Sequence, residues 1–346
     1  MALKEEGFMR LVLELAGKGW PEVAPNPLVG CVIVKNGEVL ATGYHKCFGE
    51  AHAEVNAIQA LPARISPKDC ELYVNLEPCS HHGKTPPCAD LIIEKGFKKV
   101  IVASGDPNPL VNGRGTAQLR ANGIEVITGV LEPEARYLNR RFYTFHEKKR
   151  PYISLKWAES ADGFISRLPV PKNREDNLIS GPDAFAFAHQ LRAEHMGVLV
   201  GKNTVLLDNP SLTTRLVKGN NPVKVLLDTR LEVPVHFRIF HSGAETLVFN
   251  AQKEGKEGNV SYIRFHADQV DPLDQVLETL YSAGIQSLLV EGGSSVLQAF
   301  IRRDMYDAVY KIVNPALALK TGVIAPSFEM HGVQPKQLGS DLLFQV

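Results

Sequence analysis

The chain has no excess of charge of either sign: 38 Lys and Arg stand against 38 Asp and Glu among 346 residues. A partner held along a stretch of phosphate backbone usually needs a basic surplus, so nucleic acid is not expected as a ligand. Cysteine is scarce, with five in the whole chain. That excludes a disulfide framework, and the odd number leaves at least one thiol over, which points to a reducing cytoplasm. No apolar run approaches the ~18 residues of a membrane span, and Glu5, Glu6, Arg10 and Glu14 interrupt any signal-peptide core. Internal repeats and low-complexity tracts are missing, as is a Gly-x-Gly-x-x-Gly between a strand and a helix, the usual dinucleotide fingerprint. What is there is 44% hydrophobic and 22% charged residues, enough apolar material for buried cores. At ~150 residues per domain, the length predicts two of them.

Phe8, Leu11, Val12 and Leu15 at helical spacing predict a first helix over 3–17. The run Gly30 to Val34, the turn signal Asn36-Gly37 and the run Glu38 to Gly43 predict a two-residue hairpin. Helical patterns at 51–61 and 87–95 alternate with β-rich runs at 71–75, 99–103 and 124–127. His146-Glu147-Lys148-Lys149-Arg150-Pro151 reads as a solvated linker over 144–151. Beyond it a second pattern begins, with strands at 152–157, 197–201, 223–228, 246–249, 287–290 and 308–313 and helices at 182–194, 272–283 and 294–302. Strands alternating with helices predict an α/β sheet covered on both faces. The expectation is two α/β domains, 1–146 and 151–346, joined near residue 148.

The strongest chemical signal is His52-Ala53-Glu54 with Pro78-Cys79 and Pro87-Cys88 downstream. Imidazole and thiolate suit tetrahedral zinc, and a catalytic site keeps its fourth position for water. His52, Cys79 and Cys88 supply three ligands and leave that position open. The metal lowers the pKa of its water to ~7, and Glu54, two residues from His52, is placed to carry the proton to a leaving amine. A His-x-Glu with a downstream Pro-Cys pair is the zinc-deaminase signature, which expels ammonia from an amidine-like ring carbon. His81 or His82 as a fourth ligand would make the site purely structural. Cys31, Cys47 and Cys70 read as small buried hydrophobes. In the second half, Leu288-Leu289-Val290-Glu291-Gly292-Gly293-Ser294-Ser295 places two glycines between an apolar strand and a helix, where a phosphate can approach backbone amides.

The two cysteines are separated by Ser80-His81-His82-Gly83-Lys84-Thr85-Pro86-Pro87, much longer than the two residues of the generic signature. Together with Asn26-Pro27-Leu28-Val29-Gly30, Gly49-Glu50-Ala51-His52-Ala53-Glu54, Glu77-Pro78-Cys79-Ser80-His81 and Asp106-Pro107-Asn108-Pro109, this segment resembles the bifunctional riboflavin-biosynthesis deaminase/reductase family. The likeness continues through Lys156 with Ala161-Asp162-Gly163, Leu191-Arg192-Ala193, Val200 to Val205 and Asp208 to Arg215, over nearly the whole chain. It implies a cytidine-deaminase-like three-layer domain followed by a dihydrofolate-reductase-like domain. The first would use Zn2+ to deaminate a diaminopyrimidinone carrying ribosylamino 5-phosphate; the second would use NADPH to open its ribosyl group to a ribityl chain. By the same resemblance Glu54 is catalytic, and Asn26, His45, Lys84, Asp106, Asn108, Arg192, Leu212 and Arg215 hold substrate. Lys156, Ser180, Gly201, Thr204, Asp208, Glu291, Gly292 and Gly293 fall to the cofactor, and a homo-oligomer is implied. Asn and Asp can read a ring's donor and acceptor edge, while His45, Lys84 and the arginines suit a phosphate.

The chain departs from the family at three points. Leu178-Ile179-Ser180 stands where an aromatic Trp usually opens the triplet, residues 167–176 carry Pro169, Pro171 and several charges, and Lys320-Thr321-Gly322 replaces a glycine pair. These bear on cofactor affinity more than on the reaction. Two other readings compete: a nucleoside or tRNA deaminase with an unrelated nucleotide-binding second domain, and a non-catalytic nucleotide-phosphate sensor. The absence of net positive charge and the second-half motifs count against the former. Glu54 counts against the latter, since a sensor needs no proton shuttle beside an open metal position.

Overall fold

Asn36 and Gly37 carry φ of 52° and 86°, the left-handed pair that a two-residue primed turn requires. The turn joins β1 (Gly30–Lys35) to β2 (Glu38–Tyr44) with Gly30 opposite Tyr44. The computed structural model describes residues 2–80, 86–109, 111–169, 171, 174–266 and 271–346, and the chain separates into two units, Met1–Lys148 and Lys149–Val346. No helix among the described residues is long and apolar enough to cross a membrane.

In the first unit, α1 (Ala2–Gly17), α2 (Ala53–Ala60), β3 (Glu71–Leu76), α3 (Cys88–Lys95), β4 (Lys99–Ser104), α4 (Arg114–Ala121), β5 (Glu125–Thr128), α5 (Glu132–Leu138) and α6 (Arg140–Lys148) complete the hairpin's surroundings. The sheet runs β2-β1-β3-β4-β5, with β3, β4 and β5 parallel. Successive side chains on a strand point to opposite faces. Ile33, Leu72, Val74 and Val102 accordingly meet Ala57 of α2 and Ile92 of α3, while Val32, Tyr73 and Ile101 meet Val12 of α1 and Ala135 of α5. This is the three-layer arrangement expected from alternating strands and helices. Two glycines bring helices directly onto the hairpin. A Cβ at Gly30 would fall 2.2 Å from the Val12 carbonyl oxygen, and one at Gly43 would fall 2.4 Å from that of Ala53. The second contact seats α2, and with it the start of the zinc motif.

The sequence reading did not foresee α4, α5 and α6, which are short. Residues 144–148, expected as linker, are the end of α6: Phe142 and Tyr143 are buried against Leu76, and the polar run is the solvated face of that helix. His146 and Lys148 in its last turn suit the helix dipole, and Lys149 with φ 55° ends it.

The second unit contains β6 (Tyr152–Ser160), β7 (Phe164–Arg167), α7 (Pro182–Ala193), β8 (Gly197–Gly201), α8 (Lys202–Asp208), β9 (Val223–Leu227), α9 (Arg238–His241) and β10 (Thr246–Asn250). These are followed by β11 (Gly255–Glu257), β12 (Val260–Arg264), α10 (Pro272–Ser282), β13 (Ser287–Gly292), α11 (Ser294–Arg302), β14 (Ala308–Asn314), β15 (Gly322–Ile324), β16 (Lys336–Leu338) and β17 (Asp341–Gln345). The main sheet runs β11-β12-β10-β9-β8-β13-β6-β14-β17-β16, and β15 pairs separately with β7. From β12 to β14 neighbours are parallel. Tyr152, Val198 and Leu226 pack on one face with Leu191 of α7; Ile153, Leu199 and Val225 pack on the other with Leu280 of α10 and Leu297 of α11. Burial on both faces explains why these strands read as continuous apolar runs. The carboxyl ends of β6, β8, β9 and β13 open into one crevice, where open parallel sheets usually bind ligands.

Candidate active sites

In the first unit, His52 directly precedes α2 and Glu54 lies in its first turn. The carboxyl end of β3 leads to Cys79, and α3 opens on Cys88. The Cys88 amide donates to Cys79 Sγ at 3.3 Å, and the Ala89 amide to the Cys79 carbonyl at 3.1 Å. His52 Nδ1 lies 3.6 Å from Cys79 Sγ and 3.3 Å from Cys88 Sγ, with all three donor atoms within 4.8 Å of one another. One imidazole and two thiols converging so closely fit zinc, and a three-ligand set leaves a coordination position open. No fourth ligand joins them among the described residues; His81 and His82, considered for that place, lie outside the described residues, as does Lys84.

Close contacts and burial shift the titration of these groups. The hydrogen bond from Cys88 pulls the Cys79 thiol down to about 4, and Cys88 is held up by the same bond. The Cys79 contact raises His52. Burial, and then the Cys79 thiolate, pushes Glu54 up to about 7. A carboxyl poised near neutrality can both take and return a proton at physiological pH.

A cavity of about 280 Å³ opens here, walled by His52, Glu54 and Cys79 together with Asn26, His45, Asp106 and Asn108. The described residues expected at this site therefore meet at the cavity, apart from Cys88, which is fully buried and not part of its wall. His45 is 2% exposed, with Nδ1 3.1 Å from the Ala51 carbonyl oxygen and Nε2 3.1 Å from Asn26 Nδ2. A carbonyl only accepts, so Nδ1 carries the proton, Nε2 accepts from Asn26, and the ring is neutral. Burial lowers its pKa in the same sense. Both ring nitrogens are engaged, so His45 orients Asn26 within the cavity wall. Asp106 accepts from the Asn108 amide at 2.8 Å, and burial pushes it up to about 6.

Two residues that sequence reasoning missed hold the Asn26 loop. Asn75, fully buried, accepts from the Gly30 amide at 2.8 Å and donates to the Leu28 carbonyl at 2.9 Å. Asn139 accepts from the Leu28 amide at 2.8 Å and donates to the same carbonyl. The only available signal was Asn75 itself, a polar residue within the apolar strand Leu72 to Leu76.

In the second unit a larger cavity, about 650 Å³, is lined by Lys156, Ser180, Gly201, Thr204, Asp208 and the Glu291-Gly292-Gly293 turn, together with Arg192 and Leu212. Arg215 is not in its wall; its guanidinium is exposed, 3.5 Å from Thr213 Oγ1. Arg192 and Glu291, expected on the substrate and cofactor sides respectively, form one enclosed bidentate pair, Nε to Oε1 at 2.7 Å and Nη2 to Oε2 at 2.5 Å. Burial lowers the nearby Lys156, opposed by the Glu291 charge. Gly292 has a steric reason to lack a side chain, because its Cβ would meet Thr204 Oγ1 at 2.7 Å. Gly293, at φ 81°, caps α11, and the cavity reaches the first turn of that helix at Ser294 and Ser295.

The segment around Ser180 is held from a distance. Asn314 donates to the Ile179 carbonyl at 2.8 Å, and Asp341 accepts from the Gly181 amide at 2.7 Å. His189, one turn before Arg192 on α7, is 2% exposed and is held down to about 4 by burial and by Arg192 and Arg215. Its spacing from Arg192 was the one sequence clue to it.

Residues 3–104 match the cytidine and deoxycytidylate deaminase zinc-binding region, and residues 151–321 match the RibD C-terminal domain. The chain is 38% identical to the riboflavin biosynthesis protein RibD of Aquifex aeolicus, over 98% of this chain and 97% of that one. It is 40% identical to that of Bacillus amyloliquefaciens, over 93% and 87%. Among solved structures, it is similar to a diaminohydroxyphosphoribosylaminopyrimidine deaminase/5-amino-6-(5-phosphoribosylamino)uracil reductase from Thermotoga maritima. The two superpose with a TM-score of 0.87 at 37% identity, over 99% of this chain and 98% of the other.

Proposed function

The chain belongs to the bifunctional riboflavin-biosynthesis deaminase/reductase family, and from that premise we propose which of its residues carry each reaction. It is an enzyme of two activities, with cytidine-deaminase-like and dihydrofolate-reductase-like folds in sequence. The first is zinc-dependent hydrolytic deamination of 2,5-diamino-6-ribosylamino-4(3H)-pyrimidinone 5′-phosphate. The second is NADPH-dependent reduction of the ribosyl group to ribityl. The observation that carries the reading is the convergence of His52, Cys79 and Cys88 beside a buried Glu54.

His52, Cys79 and Cys88 would hold the metal. When bound, zinc supplies the acidity that makes water a nucleophile near neutral pH. Glu54, buried in the cavity wall beside these ligands, would carry the proton between nucleophile and departing amine. Asn26, held by His45, reads the ring edge with Asp106 and Asn108, and Lys84 meets the phosphate.

In the second unit, bound NADPH would supply the hydride. The Gly292-Gly293 turn and the start of α11 offer backbone amides to its phosphates, with Gly201, Thr204, Asp208 and Ser180 lining its place. Glu291 fixes Arg192 while Lys156 faces the same space, so substrate and cofactor ends meet at this cluster. Leu212 and Arg215 complete the substrate side.

We place the enzyme in the cytoplasm as a homo-oligomer without a nucleic-acid partner. Five unpaired cysteines and balanced charge support the compartment and the partner reading. The combined test is elemental analysis, ammonia release and NADPH oxidation with the phosphorylated pyrimidine. One zinc per chain and both reactions are expected, and Cys79→Ser should lose the metal. A metal-free active protein would refute the assignment; activity on cytidine or tRNA instead would favour the nucleoside-deaminase alternative.

A further inference from the structure

Glu77, the residue before the zinc-motif proline, is 4% exposed and belongs to no role assigned above. Its carboxylate accepts from a separate stretch of chain through both oxygens. Oε2 takes the Asp106 amide at 3.3 Å and the Gly113 amide at 2.8 Å. Oε1 takes the Thr116 amide at 2.9 Å and the Thr116 hydroxyl at 3.2 Å. A carboxylate out of water is costly unless its lone pairs are filled, and here four donors fill them. All four come from the loop that carries Asp106 and Asn108 or from the first turn of α4. A second contact joins the same two segments. A Cβ at Gly115 would lie 2.0 Å from the Pro78 carbonyl oxygen and 3.4 Å from Glu77 Cγ, so α4 rests on the metal loop without a side chain between them.

We propose that Glu77, with Thr116 and Gly115, locks Asp106 and Gly113, on either side of the substrate-reading Asn108, to the segment that leads to Cys79, so that the edge receiving the substrate is preorganised. Glu77 is thus a positioning residue. It sets the Michaelis complex while the metal ligands and Glu54 stay in place, because those rest on α2, α3 and the Cys79–Cys88 contacts. The inference rests on the substrate role proposed for Asp106 and Asn108.

The test compares Glu77→Gln, Thr116→Val, Thr116→Ser and Asp106→Asn in the full-length zinc-loaded enzyme. Glu77→Gln should keep zinc content and NADPH oxidation of the deaminated intermediate, keep deaminase kcat within about threefold, and raise KM for the diaminopyrimidine phosphate at least about tenfold. Thr116→Val, which removes one donor and is the milder change if Glu77→Gln fails to fold, should raise KM about threefold, and Thr116→Ser should restore it. Unchanged KM in both Glu77→Gln and Thr116→Val, or KM raised only together with zinc loss, overturns the lock. If Asp106→Asn also leaves KM unchanged, the fault lies in the substrate reading itself; if it alone raises KM, that reading stands and only the lock fails.

Discussion

Glu54 is 3% exposed, near Cys79 and His52, and lines the cavity that those residues wall. Glu54→Gln keeps shape and hydrogen bonding and removes the acid. Zinc content should stay at one per chain while ammonia release falls by roughly 10²–10⁴ or more, the usual worth of general acid–base help. Metal-replete mutant deaminating at the unmutated rate would sink the role. Leu178, 39% exposed, lines the second cavity at the position where the family resemblance leads one to expect an aromatic ring. An aromatic pair adds about 0.5–1.5 kcal/mol, so Leu178→Trp should tighten NADPH by that amount. A fluorescence titration giving an unchanged Kd would show that the ring has no partner there. His52, Glu54, Cys79 and Cys88 were legible because metal chemistry dictates residue types and order. Asn75, Asn139 and Glu77 were not, because a buried hydrogen-bonding side chain leaves no pattern along the chain; its partners lie up to 111 residues away.

Elements place these residues, and their corners are where pH acts. Asp162, in the turn after β6, accepts from the Ser160 hydroxyl at 2.6 Å and from the Leu319 and Lys320 amides at 3.0 and 2.7 Å. The Ser160 bond and then the two amides hold it at about 2, below its ordinary 3.8. A depressed carboxylate contributes stability that is present above the unfolded pKa and lost as pH falls through the folded one. Asp162→Ala should therefore lower Tm at neutral pH, with the difference from the unmutated protein shrinking between about pH 4 and 2. A constant difference across that window in thermal scans would mean that the carboxylate's charge is not what ties the turn to 319–320. Period-two and helical patterns made most strands and the longer helices readable. The helices α4, α5 and α6 escaped because arginines and glutamates are interspersed among their few apolar residues, and their formation depends on burial against strands.

Over the whole molecule, each unit has its own apolar cluster on either face of its sheet, and each cavity is lined by residues of one unit alone. The two reactions should therefore fail separately. Glu54→Gln should leave NADPH oxidation intact when deaminated intermediate is supplied, and Arg215→Ala, at an exposed position, should weaken reduction while ammonia release continues. Loss of both activities in either variant would contradict independent sites. The amino-acid sequence alone determined the two α/β halves, the His52, Cys79 and Cys88 group proposed to hold zinc, the Glu54 proposed to carry the proton, and the glycine turn of the second half. Each of these is dictated by local periodicity or by ligand chemistry at short spacing. Tertiary structure alone decided that His45 turns both nitrogens inward to hold Asn26, that Arg192 closes on Glu291, that Arg215 stands outside the cavity wall, and that Glu77 joins two loops. Those outcomes depend on which donors and acceptors are left over once distant strands have packed, and hydrogen bonds between such remnants are fixed by proximity in space rather than by order along the chain.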